Sequence, residues 1–515
     1  MIPMDGQYLV GTDIGTNSTK TILVSPEGEV LGSGNAGYEV EQPEPSWAQQ
    51  WPDVWVEATY DSIQQAIDEA EVDPSEIRGI SISSLYGGAG VPLDGEGEPV
   101  YPCLIWMDRR ATDQVEWVKE HVDLDRLFEI TGNYVDSYYG YTKIRWIKEH
   151  EPEVWDDIEN FVPPNNYVEY VMTDELAVDY SSAGNVGGVF DIHDLAWSEE
   201  ACEMLEIPIE KFPERLVPTE EIVGEVTADA AEQSGLPEGT PVLAGGVDAP
   251  MATLAAGAFE EGDNVSMMGT STCWGTIHEG AGLDQQLVSM PHVAEGEQKI
   301  YTWGGSATTG GLIEWFKDEF GGPEEQAGEL VDVDPFELLN MKAEEIPAGS
   351  EGLVALPYFK GERSPIWDPD ARGMFTGLSL YHGKSHMYRA LMEAGGYSLR
   401  HNVEVAEEIG IPLKPETSVV GGVSNSELWM QILADVTGRR MEVPAGGVGA
   451  PLGDALVVGV GTGLFEDYDI ATEWTETGEV YTPEPENVDT YDEYYDIYKR
   501  LYQNTKDEMH DLAQL

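Results

Sequence analysis

The sequence predicts an α/β protein built from two domains, and three observations carry that expectation. A chain of 515 residues is too long for one compact core. It opens with short apolar strands separated by Gly-rich turns. Thr/Gly-rich turns of the same kind recur past position 240, as if one scaffold had been used twice.

In chain order, apolar Tyr8–Val10 reads as a strand, followed by the turn-rich Gly11-Thr-Asp13-Ile-Gly15-Thr16-Asn17. A second strand around Thr21–Val24, turn chemistry at Ser25-Pro-Glu-Gly-Glu29 and a third strand at Val30–Gly34 complete a β-meander. Helical periodicity covers 51–70, 113–121 and 142–150, with a β-rich run at 79–83. Near Pro241-Val-Leu-Ala-Gly245-Gly246 the pattern restarts: a helix over 249–256, a strand ending at Met268, a turn at Gly269-Thr270-Ser271-Thr272, a strand over 300–303 and a helix over 311–320. Long helices are expected over 385–408 and 427–438. The last segment sets Tyr491, Tyr494, Tyr495, Tyr498, Leu501 and Tyr502 at helical spacing, the pattern of a packing stripe. The expected parts are an N-terminal domain over 1–248, a C-terminal domain over 249–480 and a closing acidic, Tyr-rich helix over 481–515 packing on them.

Charge narrows the function classes. Against 26 Lys and Arg stand 97 Asp and Glu, a net charge of −71, which repels nucleic acid and anionic membranes. The acids are spread among ordinary apolar periodicities, so the pattern predicts a surface suited to molar salt rather than a disordered tail. It resembles the surfaces of proteins from halophilic archaea. There is no run of eighteen apolar residues and no basic stretch leading into an apolar segment near the start, so neither a membrane span nor a secretory signal is expected. Cys103, Cys202 and Cys273 are too scattered for a disulfide framework or a zinc site. A reducing cytoplasm is the expected location.

Four stretches carry chemistry. The turn from Gly11 to Lys20 offers backbone N–H groups and hydroxyls to an anion, with Thr16 and Asn17 at its tip. Lys20 can meet a phosphate as a point charge, and Asp13 can hold Mg²⁺ through water. A plain structural hairpin would carry the same residues. Asp248, after a Gly245-Gly246 turn, can take a proton from an acceptor hydroxyl, or can cap the helix that follows. Gly269-Thr270-Ser271 repeats the phosphate-loop logic, with Gly310 offering close backbone approach. Gly421-Gly422-Val-Ser-Asn425 provides a flat backbone for a nucleotide and Asn425 as a polar edge.

The stretch Gly373-Met-Phe-Thr-Gly377-Leu378, seven residues, then His386-Met-Tyr-Arg-Ala390-Leu391-Met-Glu393 resembles the longer signature of the FGGY carbohydrate kinases position by position. Trp51-Pro-Asp-Val-Trp55, Ile105-Trp-Met-Asp-Arg-Arg110, Tyr134-Val-Asp-Ser-Tyr138 and Leu236-Pro-Glu-Gly-Thr-Pro-Val242 resemble further landmarks of that family in the same order. The resemblance spans nearly the whole chain. It implies two actin-like (ribonuclease H-like) domains with an interdomain active-site cleft, Mg²⁺ and ATP as phosphoryl donor, and a small sugar or polyol as acceptor. By that match Asp248 is the general base and Asp13 helps hold Mg²⁺. Thr16, Asn17, Lys20, Gly269, Thr270 and Gly310 belong with the phosphates, and Gly422 and Asn425 with the adenosine. Trp106 and Tyr138 match acceptor contacts of glycerol kinases.

Two departures shape the acceptor. Where glycerol kinases carry Gln-Arg-Glu and xylulokinases Gln-Met-His, this chain has Tyr86-Gly87-Gly88, and Ala249 follows the catalytic aspartate in place of Gln or Asn. Loss of the Arg–Glu pair argues against glycerol. The two glycines enlarge the pocket, and Tyr86 can supply a phenolic partner. The expected acceptor is a ketopentose such as xylulose; ribulose, a tetritol or a hexulose are the alternatives within the family. A non-catalytic actin-like ATPase or regulator is the alternative outside it. A homodimer is the commonest assembly and is expected on that ground alone.

Overall fold

The computed structural model describes residues 7–515, apart from Tyr86, Ala281, Gly447 and Val448. It divides into two compact units. The first comprises Met1–Phe259, Ile277–Tyr301 and Gly447–Thr475, the second Glu260–Thr276, Thr302–Gly446 and Glu476–Leu515. The units are therefore discontinuous in the chain, whereas the sequence-based partition cuts once after 248 and again after 480.

The first unit is organised on a six-stranded mixed sheet. Its order is Ile222–Glu225, Pro241–Val247, Ile77–Ser84, Tyr8–Ile14, Ser18–Val24, Val30–Gly37. The three central strands are parallel, and antiparallel strands close both edges. The expected meander is present, but its first strand runs on through Gly11-Thr-Asp13, so the turn shrinks to residues 15–17. Both faces of the sheet are covered, and neighbouring residues enter opposite cores. Val10 joins a cluster with Leu23, Trp55, Ile63, Ile80 and Ile82, while Leu9 joins one with Leu243, Met251, Leu254, Leu456 and Val458. Helix Asp53–Ala70 covers the first face and helix Ala450–Gly461 the second. The second helix approaches so closely that a Cβ on Gly11 would lie 1.8 Å from the Pro451 carbonyl oxygen.

The second unit repeats the scheme. Thr272–His278 is antiparallel to Asn264–Met268, which is parallel to Glu416–Val420; that strand is parallel to Arg440–Ala445, which is antiparallel to Glu476–Tyr481. This is the succession antiparallel, parallel, parallel, antiparallel that links Ser18–Val24 to Ile222–Glu225 in the first unit. Each unit thus contains a strand–turn–strand hairpin feeding a parallel centre. Helices Lys384–Glu408, Glu427–Thr437 and Pro485–Ala513 pack in the second unit. The tyrosine stripe is buried as expected: Tyr491, Tyr495 and Tyr498 bond Glu393, Glu404 and Tyr358, and Tyr502 bonds Asp368. No helix among the described residues is long and apolar enough to cross a membrane.

Candidate active site

Asp248 stands where the Pro241–Val247 strand becomes the Asp248–Ala255 helix. The glycines before it lie in the strand rather than in a turn. Gly245 has φ +56, and a Cβ there would be 1.9 Å from the Ile82 carbonyl oxygen; a Cβ on Gly246 would be 2.7 Å from Ser181 Oγ. A buried polar brace fixes the strand end. Val247 N–H donates to Ser181 Oγ at 3.1 Å, Ser181 Oγ donates to Asp179 Oδ1 at 2.5 Å, and Asn165 Nδ2 donates to Asp179 Oδ2 at 3.1 Å and to the Ala244 carbonyl at 3.3 Å. The N-cap position belongs to Val247, with no side-chain cap, so the Asp248 carboxylate is not a conventional N-cap. It is half-buried, with the Ala249 N–H as a backbone donor. Burial first, and then the charge of Asp13, hold its carboxyl above the ordinary range.

Asp13 pairs across the hairpin with Lys20 and lies beside Ser83 in the parallel neighbour. Burial raises its carboxyl, opposed by the Lys20 charge and Ser83. Ser83 Oγ lies 3.4 Å from Asp13 Oδ1 and 2.6 Å from Asp454 Oδ2, while Ser81 Oγ reaches Asp454 Oδ1 at 2.9 Å. Asp454 is fully enclosed, and burial holds its carboxyl well above the usual range. Nothing in the local pattern marks Asp454: it sits in a Gly/Val/Leu-rich helix more than two hundred residues from Asp248.

The tip of the hairpin joins two predicted groups. Trp106 Nε1 donates to Thr16 Oγ1 at 3.1 Å, and Gln50 Nε2 donates to the Thr16 carbonyl at 3.0 Å. Asn17 and Lys20 are exposed. Tyr138 is only 3% exposed, and a Cβ on Gly87 would be 2.7 Å from its ring. Tyr86 lies outside the described residues.

Asp13 fits Mg²⁺ by donor chemistry. The ion favours one or two carboxylates and keeps several waters beside its phosphate ligands. The half-buried Asp13 supplies one hard oxygen donor, and no cluster of three His, Cys, Asp or Glu residues suited to a metal occurs among the described residues.

In the second unit a cavity of about 940 Å³ is lined by Gly269, Thr270, Gly310, Gly422 and Asn425, five positions expected to serve a nucleotide. The 269–271 turn is tied to helix Gly310–Phe320: the N–H groups of Thr309 and Gly311 bond the Thr270 carbonyl at 2.9 and 3.0 Å, and that of Gly310 bonds the Gly269 carbonyl at 2.9 Å. Gly310 N–H is therefore already used, and the residue contributes by lacking a Cβ, which would lie 2.4 Å from Gly269 O. Gly421, at φ +100, is pressed against Met268, whereas Gly422 opens onto the cavity. Sequence reasoning missed the far wall. There Tyr388 OH donates to Asn340 Oδ1 and Asn340 Nδ2 to Ser426 Oγ, both at 3.1 Å, beside Phe336 and Trp429. Tyr388 falls inside the quoted signature, but nothing in the local pattern singled out Phe336 or Asn340.

The N-terminal domain of the FGGY family of carbohydrate kinases matches residues 8–255, and the C-terminal domain of the same family matches 264–462. The chain belongs to the FGGY family of carbohydrate kinases. It is 31% identical over 504 residues to the xylulose kinase of Bacillus subtilis, covering 97% of this chain and 98% of that protein. It is 27% identical over 517 residues to the gluconokinase of Bacillus licheniformis, covering 98% of each. The crystal structure of xylulose kinase from Rhodospirillum rubrum superposes with a TM-score of 0.88 at 31% identity, over 98% of this chain and 100% of that one. As an FGGY kinase it is a phosphotransferase that moves a phosphoryl group from ATP, with Mg²⁺, to a sugar hydroxyl. Its two sheet-bearing parts are the ribonuclease H-like, actin-like domains that the resemblance implied.

Proposed function

We propose that this FGGY kinase phosphorylates a neutral ketopentose, xylulose foremost, with Asp248 as the general base. The observation that carries the reading is Asp248 itself: a half-buried carboxylate at a braced strand end, not spent as an N-cap and made more basic by burial and by Asp13. Asp13 would hold Mg²⁺, which when bound would supply positive charge against the transferred phosphoryl group. Thr16, Asn17 and Lys20 meet phosphate from the first unit, while Gly269, Thr270, Gly310, Gly422 and Asn425 hold the nucleotide in the second. Trp106 and Tyr138 give apolar walls for sugar C–H faces. We assign Tyr86 to the acceptor from its sequence position alone.

The cations of the first site favour a neutral acceptor over gluconate. Arg109 is committed to Asp136 at 2.7 Å, Lys143 to two backbone carbonyls, and Lys20 faces Asp13. Asp13 and Asp248 would repel a carboxylated sugar. Kinship with xylulose kinases supports the ketopentose choice. The scatter of Cys103, Cys202 and Cys273 along the chain suits a cytoplasmic enzyme.

The test is acceptor-dependent ADP release, measured in molar KCl over a panel of xylulose, ribulose, a tetritol, fructose, glycerol and gluconate. Xylulose should give the highest kcat/KM, and Asp248→Asn should cut kcat by about 10²–10⁴ while ATP still binds. Full turnover by that variant would remove Asp248 as the base; a preference for gluconate would overturn the neutral-acceptor reading.

A further inference from the structure

Helix Gly140–His150 begins against the Gly87–Gly88 segment. A Cβ on Gly140 would lie 2.0 Å from the Gly88 carbonyl oxygen, so backbone meets backbone there. One turn along, Lys143 is fully enclosed, and its Nζ donates to the Gly87 carbonyl at 2.8 Å and to the Tyr138 carbonyl. Burying an ammonium is costly, and an apolar side chain of similar volume would fill the space with less penalty. What the amine adds is a fixed link between two chain segments fifty residues apart. They are the segments whose surfaces meet: Gly87, at φ +79, lies against the Tyr138 ring, where a Cβ would be 2.7 Å away.

We propose that Lys143 is a positioning residue for the acceptor sugar: by gathering the Gly87 and Tyr138 carbonyls onto one amine, it sets the spacing between the Gly87–Gly88 backbone and the Tyr138 ring, and so selects among neutral sugars by size. The inference rests on the reading of Tyr138 and Asp248 as acceptor-site residues. Burial, and next the Arg109 charge, draw the amine down to about 7, against Asp108, Asp136 and Cys103. A neutral amine still has two N–H donors, one for each carbonyl, so the link survives deprotonation.

Lys143→Met tests it, with Lys143→Arg as the variant that keeps donors and Gly87→Ala as an attack on the same spacing from the other side. Lys143→Met should raise the acceptor KM about tenfold, leave the KM for ATP within about twofold, and compress the kcat/KM ratio of xylulose over fructose and glycerol by about tenfold. Lys143→Arg should restore part of that ratio. Gly87→Ala should show the same pattern, and the double variant should be less than additive, because both act on one spacing. Gly87→Ala carries the test alone if Lys143→Met does not fold. Unchanged acceptor KM and selectivity in folded Lys143→Met and Gly87→Ala, with the kcat of Asp248→Asn cut as expected beside them, would overturn this inference and leave the assigned function standing. A wild-type protein silent with every neutral acceptor would overturn both.

Discussion

The acid-lined site of the first unit and the cavity of the second do their polar work with opposite means. The first relies on side chains drawn from positions as distant as Asp13, Ser83, Asp248 and Asp454, with burial pushing its carboxyls upward. The second relies on the backbone of two turns, shaped by Gly310 and Gly421, where any side chain would collide with a carbonyl. Its lining includes Glu314, Asp334, Glu337, Glu344 and Glu427 and, among the described residues, no Lys, Arg or His. One site is therefore tuned by charge and dielectric, the other by the path of the chain. The first should be vulnerable to isosteric changes of charge, the second to added methyl groups and to ionic strength.

The largest effect is expected at Asp248, the proposed base. Asp248→Asn keeps the shape and removes the proton acceptor, so kcat should fall by about 10²–10⁴, with the KM for ATP nearly unchanged. With Asp248 acting as the carboxylate base, as proposed, and its pKa raised, wild-type kcat should climb with pH along a limb above the ordinary carboxylate range. Asp13→Asn removes a negative charge that raises that pKa, so the limb should move to lower pH in the residual activity; a limb that stays put would show that the two carboxyls do not interact. In the second unit, Gly421→Ala forces a side chain at φ +100 to within 2.5 Å of the Met268 carbonyl oxygen. The KM for ATP should rise about tenfold while the acceptor KM holds. If the same variant instead weakens the acceptor, the contrast between the two regions fails.

The contrast also explains what could be read in advance. The meander, the strand ending at Met268 with its following turn, and the tyrosine stripe follow from local periodicity and turn chemistry, which act over a few residues and are visible in the string; the partner strand Thr272–His278 was not singled out. The cavity-lining glycines were found because turns are local too. Asp454 and Lys143 were not, since their importance comes from what surrounds them. Asp454 looks like an accident in a Gly/Val helix until Ser81 and Ser83 are placed beside it, and Lys143 looks like a surface cation until its amine is seen against two carbonyls. Gly245-Gly246 was read as a turn because the pair commonly makes one. In the fold these glycines continue the strand, and the reason for them is the nearness of Ile82 and Ser181.

The smallest effect is the most discriminating. A polyanionic nucleotide bound in this cavity, as proposed, would meet repulsion from the five carboxylates of its lining, with no cation among the described lining residues to offset it. Screening shortens from about 10 Å at 0.1 M to about 3 Å at 1 M salt, so that repulsion weakens as KCl is raised. The KM for ATP should fall by about two- to threefold over that range, whereas the KM for a neutral ketopentose should stay level. With 97 acidic residues against 26 basic ones, the whole fold should also melt at a higher temperature in salt, so both constants must be taken where the melt is complete well above the assay temperature. Glu344→Gln together with Glu427→Gln separates the local cause from the global one: the pair should lower the KM for ATP at 0.1 M and flatten its salt dependence, while leaving the salt dependence of melting almost intact. Equal salt dependence of both constants, in wild type and variant alike, would assign the effect to the net charge of −71 instead of to the cavity wall.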